Sequence, residues 1–332
     1  MNYLEITRET GIPLLGAIPY GIIDRGTNLL QVRAFSGCNL NCNFCSVDSG
    51  PKSKTRTYIY GVEPNYLFDW LEKVIEFKGR DDIEIHLDGT GEPMMYPHFL
   101  EFLEKIRKIP QVKTISLQTN GTLLTKEKIK KMETLGLNRI NLSISAMEPE
   151  LAKKISGCDW YDIEHVKEMA RIIVESKIDL LIAPVFMKNI NNEEIPKIIE
   201  FALNVGAGKK WPALGIQKYE KYRLGRIPKK VEIQSWWRFY NRAIKKWENK
   251  FDLTLRLSKE DFGIKKCKSP PKEFSRNEIA HVKITAPGWL EGEGIAVARN
   301  RSVLVLDSDR IGTTEKVKII SNKHGVYVAK KV

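Results

Sequence analysis

The sequence predicts an α/β chain: six parallel β/α units and then a small all-β barrel. Three observations carry that class. From about residue 29 to residue 260, apolar runs alternate with helix-periodic segments, as in parallel strands joined by helical crossovers. The paired prolines of Ser269-Pro270-Pro271 then stop regular structure. The chain beyond them is strand-like throughout, broken by turns rich in Gly, Asn, Asp and Ser. The expected division is residues 1–268, holding an N-terminal extension, the β/α core and a basic stretch, and residues 269–332, holding the barrel.

The first strand is the run Leu29 to Phe35, and a helix opened by Pro64 runs to Phe77. The second unit pairs a strand at Ile83 to Leu87 with a helix from about Pro97 to Ile109. The third pairs Thr114 to Gln118 with a helix Lys126 to Leu135, closed by Gly136. The fourth strand, Ile140 to Ser145, precedes a helical region from Glu150 to Glu175. The fifth, Ile178 to Pro184, precedes a helix Glu193 to Leu203. The sixth, Ala213 to Gln217, precedes a helix around Ile233 to Asn249, whose core face is read as Ile233, Trp237, Tyr240, Ile244 and Trp247. Five short strands end the chain: Ile279 to Thr285, Gly294 to Ala298, Ser302 to Leu306, Lys316 to Ile320 and Val326 to Ala329.

At 332 residues the chain suits one large domain plus a small one. No basic-apolar leader stands at Met1 to Glu5, and no apolar run approaches the ~20 residues of a membrane span. Five cysteines, three of them in one loop, do not form a disulfide framework and suit a reducing, cytoplasmic compartment.

Those three are Cys38, Cys42 and Cys45, in Ser36-Gly37-Cys38-Asn39-Leu40-Asn41-Cys42-Asn43-Phe44-Cys45, just after the first strand. Three thiolates in one loop suit an iron–sulfur cluster or zinc. A structural zinc site closes its tetrahedron with a fourth Cys or His, and the next ones along the chain are distant, at His86 and Cys158. The cluster is therefore the favoured reading. The C-x3-C-x2-C spacing, with the aromatic Phe44 before the third cysteine, resembles the signature of the radical S-adenosylmethionine (radical SAM) superfamily. The resemblance implies a [4Fe-4S] cluster on Cys38, Cys42 and Cys45, with the fourth iron chelated by the amino and carboxylate groups of SAM and Phe44 among the residues that bind the cofactors. It also implies a low-potential electron donor, reductive cleavage of SAM to a 5′-deoxyadenosyl radical, and a partial (β/α)6 barrel with the site at the C-terminal ends of its strands. The protein's share of that chemistry is to hold the cofactors and aim the radical, so no catalytic side chain is singled out.

Other motifs fall at strand ends. Asp88-Gly89-Thr90-Gly91-Glu92-Pro93 resembles the family's Gly-Glu-Pro motif, which implies that Gly91 and Glu92 line the methionyl part of SAM. Glycine permits close backbone approach, and Glu92 is also placed to bond strand-end backbone. Asn120, in Thr119-Asn120-Gly121, and Ser145, in Ser143-Ile144-Ser145, resemble family positions that meet SAM's carboxylate and ribose. Read without the family, Asn120-Gly121 is an ordinary turn pair. Lys188, Asn189 and the backbone of Ile216-Gln217 are weaker candidates.

Charge is the second guide. The chain carries 54 Lys and Arg against 41 Asp and Glu, a net +13. Residues 205–272 alone hold nineteen against six, so this stretch accounts for the whole excess. Aromatics are interleaved with it (Trp211, Tyr219, Tyr222, Trp236, Trp237, Phe239, Tyr240 and Trp247). Cations that meet phosphates beside rings that stack on bases are the footprint of nucleic-acid binding. The terminal barrel, by length, strand count and the turns at Gly292 and Gly294, resembles the OB-like TRAM domain, an RNA-binding module of RNA-modifying enzymes. Together these point to structured RNA, tRNA first, as the substrate whose C–H bond is attacked. Two alternatives remain: a radical SAM enzyme acting on a small metabolite, peptide or protein, and a non-catalytic iron–sulfur RNA-binding redox sensor. Cys158 and Cys267 are too few for a second three-cysteine cluster. They are read as tolerated thiols before a methyl-carrier pair.

Overall fold

The computed structural model describes residues 1–332 and divides into two compact units. The first comprises Met1–Asn39, Ser53–Ile115 and Lys265–Val332, and the second Leu40–Lys52 and Ser116–Ile264. No helix is long and apolar enough to cross a membrane.

In the first unit, strand Gly21–Asp24 runs antiparallel to Leu29–Arg33, which pairs in parallel with Ile83–Leu87. The helix Pro64–Lys78 begins with proline, whose missing N–H is no loss at that position, and ends at Gly79. It buries Leu67, Leu71, Val74 and Ile75, one face at helical spacing. Its last residue, Lys78, is buried and pairs with Asp24 at 2.8 Å, which compensates a charge that could not otherwise leave water. Residues 279–331 close into a five-stranded barrel with the order Ile279–Pro287, Gly294–Ala298, Arg301–Leu306, Tyr327–Lys331, Thr314–Ser321. Along Ile279–Pro287 and Thr314–Ser321 burial alternates, so every second side chain enters a core of Phe274, Val282, Ile284, Val303, Val305, Val317, Ile319 and Tyr327. The barrel is not free of the rest of its unit. Ser302 Oγ donates to the Pro13 carbonyl at 2.6 Å, and the buried Tyr20 hydroxyl meets Ser302 Oγ at 3.0 Å. Arg56 lies over the Trp289 ring, 3.1 Å from its centroid.

In the second unit, Val112–Thr119 (whose last residues belong here), Arg139–Leu142 and Asp179–Ile182 pair in parallel. Helices Lys126–Thr134, Ile163–Glu175 and Glu194–Val205 bury Ile129 and Met132, then Val166, Ala170 and Ile173, then Ile195, Ile198 and Ile199. The helical region expected over 150–175 is two helices, Pro149–Ser156 and Ile163–Glu175, because the Asp162 carboxylate caps the second by accepting from Glu164 N and His165 N.

Two further elements differ from the sequence-based expectation. The sixth strand shrinks to Gln217–Lys218, paired with Val185–Phe186, plus an isolated bridge between Leu214 and Ile182. Pro184 lies between those two contacts and has no N–H to give, so the ladder breaks there and resumes beyond it. In the helix of the basic stretch, Phe239–Ile244 is a π-helical turn. Wider winding changes which side chains face inward. Phe239, Ile244 and Trp247 are buried, whereas Trp237 is 62% and Ile233 51% exposed, so neither belongs to the core. Ile233 in fact precedes the helix, which begins at Trp236.

Candidate functional site

The Gly-Glu-Pro loop and the first residues of the cysteine loop lie together in the first unit. Glu92 N donates to the Gly37 carbonyl at 2.7 Å, directly before Cys38. A side chain at Gly91 would place its Cβ 2.0 Å from that same carbonyl oxygen, so only glycine lets the two backbones touch. The preceding strand is secured to its partner by Asp88, which accepts from Gln31 Nε2 at 2.9 Å and Arg33 Nε at 3.1 Å. Ser36 N donates to the Tyr60 carbonyl, and Ser36 Oγ accepts from Tyr60 N at 2.7 Å. The Glu92 carboxylate, 2% exposed, caps the short turn Pro93–Met95 by accepting from Met94 N at 3.0 Å. Its main chain thus reaches Gly37, while Oε1 faces the next turn.

Cys42 and Cys45 belong to the second unit; both are half-buried and neither is in a disulfide. Cys45 N donates to the Cys42 carbonyl at 3.1 Å, a tight turn that brings the two residues together. Ser49 N donates to Cys45 Sγ from 3.3 Å, and hydrogen bonds to the sulfurs tune the potential of any cluster they hold. The loop is bound on one side by Asn41 N and Asn43 N, which donate to the carbonyls of Ser156 and Ile155. On the other side stands Arg226. Its Nε meets Asp48 Oδ1 at 2.6 Å, its Nη1 donates to the Cys42 carbonyl at 3.1 Å, and its backbone N donates to the Cys45 carbonyl at 2.8 Å. The Arg226 and Asp48 side chains are only 18% and 6% exposed. Gly50 closes the loop at φ +110°, with a Cβ site 1.9 Å from the Leu40 carbonyl oxygen.

Against this loop lies a small hollow whose walls include Cys42, Phe44, Asn120, Ser143, Ser145 and Tyr161. Three of the residues expected to meet SAM, Phe44, Asn120 and Ser145, are therefore brought together with Cys42. Asn120 also serves the turn, its Oδ1 accepting from Thr122 N at 3.0 Å. Ser145 is fixed by residues that no sequence motif marked. Its Oγ accepts from Val185 N at 3.1 Å, and Asn191 Nδ2 donates to its carbonyl at 2.8 Å. Glu194 accepts from Met147 N at 2.5 Å and Glu148 N at 2.9 Å, just beyond Ser145. Burial pushes the Glu194 carboxyl up, but Lys197 and those two amides outweigh it and hold the group below the usual range. Asn189 takes a left-handed turn at φ 71° and bonds Asn192, while the Lys188 carbonyl accepts from Glu232 N. Neither is among the residues of this hollow.

Nothing local in the sequence marks Arg226, which sits inside the basic stretch and 178 residues from Asp48. Cys158 is also drawn in: it is buried, and Asn41 Nδ2 approaches its Sγ at 3.5 Å. Cys267 lies elsewhere, 3.4 Å from Lys78 Nζ.

A family model described as the radical SAM superfamily matches residues 32–202. An uncharacterized protein of Methanocaldococcus jannaschii is 40% identical over 97% of this chain and 79% of its own length. A probable GTP 3′,8-cyclase of the same organism is 31% identical, over 54% of this chain and 56% of that protein. Among solved structures, anSMEcpe with bound AdoMet aligns with a TM-score of 0.52 at 19% identity, over 83% of this chain and 77% of that one. Streptococcus suis SuiB bound to S-adenosylmethionine gives 0.52 at 14% identity, over 74% and 50%. At such identities the likeness is one of fold.

Proposed function

The chain belongs to the radical SAM superfamily, and from that premise we propose that Cys38, Cys42 and Cys45 hold its cluster and that its substrate is a nucleotide unit of RNA, tRNA first. The enzyme reading follows from the membership and sets aside a non-catalytic sensor. The family's cofactors, a [4Fe-4S] cluster and SAM, supply when bound a carbon-centred radical able to take hydrogen from a strong C–H bond. Three soft thiol donors on one loop suit such a cluster and leave one iron for a chelating ligand. Gly91, Glu92, Phe44, Asn120 and Ser145 are the residues we assign to SAM. A low-potential electron donor completes the system.

The observation that carries the RNA reading is the surface of the basic stretch. Trp236 and Trp237 are 49% and 62% exposed, Tyr222 is 49% exposed, and exposed Lys221, Arg223, Lys229, Lys230, Arg242, Lys245 and Lys246 share the stretch with them. Some of its charge is spent internally: Arg226 on the cysteine loop, and Lys218 on Glu220 at 3.2 Å. Enough remains exposed for phosphate contacts beside stacking rings. We assign the TRAM-like, OB-type role to residues 269–332 as a second RNA-binding surface, and place the protein in the cytoplasm. A free nucleotide is the second reading, favoured by relatives named GTP 3′,8-cyclase.

RNA mass spectrometry from cells with and without the protein tests the assignment. The expected result is one modified nucleoside that disappears with the protein. An unchanged RNA profile, alongside release of 5′-deoxyadenosine by the purified protein with SAM and dithionite, would leave the radical chemistry standing and remove RNA.

A further inference from the structure

A second cavity in the second unit, about 230 Å³, is separate from the hollow at the cysteine loop. Gln118 and Asn141 both line it, and they are direct register partners on adjacent parallel strands. Asn141 Oδ1 accepts from Arg139 Nε at 3.0 Å. Arginine only donates, so this bond fixes the amide's orientation and leaves Asn141 Nδ2 as the free end, a donor with no protein partner. Arg139 is itself locked, 2% exposed, with its guanidinium 4.9 Å from the Trp211 ring centroid and 5.1 Å from that of Phe262. Gln118 Nε2 donates to Ser143 Oγ at 2.9 Å, the orientation that leaves Oε1 as an acceptor with no protein partner; a hydroxyl also serves the flipped amide, so Asn141 is the fixed end of the pair and Gln118 turns to suit its ligand. An open donor and an open acceptor therefore stand side by side in one cavity. Its remaining walls include Leu181, Leu255 and Phe262, and no charged side chain lines it.

We propose that this cavity seats a nucleobase edge: a flat heteroaromatic ring presenting one N–H, to Gln118 Oε1, beside one ring nitrogen or carbonyl acceptor, to Asn141 Nδ2. Its volume lies below the ~300 Å³ of ordinary ligand sites, which suits one base and leaves the rest of a nucleotide outside. The lack of charge in its walls leaves the phosphate outside, while the amide pair and apolar walls match a neutral aromatic ring. SAM's adenine carries the same kind of edge. The cavity also takes in Ile216 and Gln217, offered above as candidates for SAM; it goes to the substrate's base instead, because Ser143, the partner of Gln118, lines the other hollow, the one assigned to SAM. The two hollows would thus hold the radical source and its target on either side of one hydrogen bond. This inference rests on the reading that the substrate carries a nucleotide, and it sharpens that reading from a surface charge to a base-recognition site.

The test uses the anaerobic, cluster-loaded full chain with saturating SAM, titrated calorimetrically with AMP, GMP, UMP and CMP in turn. At least one should bind with unit stoichiometry. Asn141→Asp keeps the side chain's size and an oxygen for Arg139 but turns the open donor into an acceptor. It should weaken that nucleotide at least about tenfold, the scale of one lost hydrogen bond, while SAM affinity moves by less than about twofold. Asn141→Leu should do the same. Failure of all four nucleotides to bind the wild type would overturn the proposal, as would an Asn141→Asp protein that binds its nucleotide unchanged. An equal loss of SAM affinity would give the cavity to SAM's own adenine and overturn it as well. Retention of bulk tRNA is measured separately: nucleotide binding without tRNA binding keeps the cavity and discards the RNA.

Discussion

The loop Asp88 to Pro93 and the loop Leu40 to Lys52 are both tightly shaped, and they are held by different means. In the first, main chain meets main chain: Glu92 N reaches Gly37 O, and Gly91 supplies the clearance by having no side chain. In the second, the clamp is a side chain delivered from far along the chain, the Arg226 guanidinium spanning Asp48 and the Cys42 carbonyl. Close backbone contact is written in the glycine itself and tolerates no replacement. A charge-assisted bridge between half-enclosed groups depends instead on both partners arriving, and loss of one leaves the other desolvated.

Substitutions that probe the two loops range in effect from total loss to a shift in slope. Cys42→Ala should abolish SAM cleavage and bleach the anaerobic protein's cluster absorbance; 5′-deoxyadenosine release at the wild-type rate would end the ligand assignment. Gly91→Ala comes next. Its Cβ would lie 2.0 Å from a backbone oxygen that no rotamer change can move, so a cost on the order of 3 kcal/mol is expected in chemical unfolding of the first unit. Arg226→Met should cost about 3 kcal/mol by taking the cation away from the largely buried Asp48 carboxylate, and the double variant with Asp48→Asn should recover part of that loss. Recovery is the distinguishing sign, since no second-site change of this kind should rescue Gly91→Ala. Reversing charge at the exposed Lys229 and Lys230 should leave both loops and SAM cleavage intact. It should weaken tRNA binding and flatten its dependence on salt, each lost phosphate contact removing about 0.9 from the slope.

The smallest effect concerns pH. Glu194 is held below the ordinary carboxylate range when folded, so the unfolded chain takes up its proton first as pH falls. Its contribution to stability is full above the ordinary value and drains away as pH drops through the folded value. Glu194→Gln should therefore be less stable than wild type at neutral pH and nearly equal to it in acid. Parallel pH curves for the two proteins would show that Glu194 does not hold the segment after Ser145 by charge.

Much of the architecture was legible because it is written locally. Alternating apolar residues predicted the five strands of the terminal barrel within a few residues, since each strand needs one face inward whatever lies beside it. The strand Ile83–Leu87 and the helix starting at Pro64 were readable for the same reason: side-chain period and proline act over one or two turns. The cysteine spacing and Gly-Glu-Pro order were likewise fixed in the chain, and the family match spans both. Other features depended on how distant segments pack. The π-turn at Phe239–Ile244 moved Trp237 to the surface, because winding responds to packing that a 3.6-residue period does not contain. Arg226 became part of the cysteine loop, and Asn141 and Gln118 became an open donor beside an open acceptor, only once separate stretches of chain met. Periodicity and glycine are properties of neighbours in sequence, whereas a hydrogen bond's partner is a property of neighbours in space.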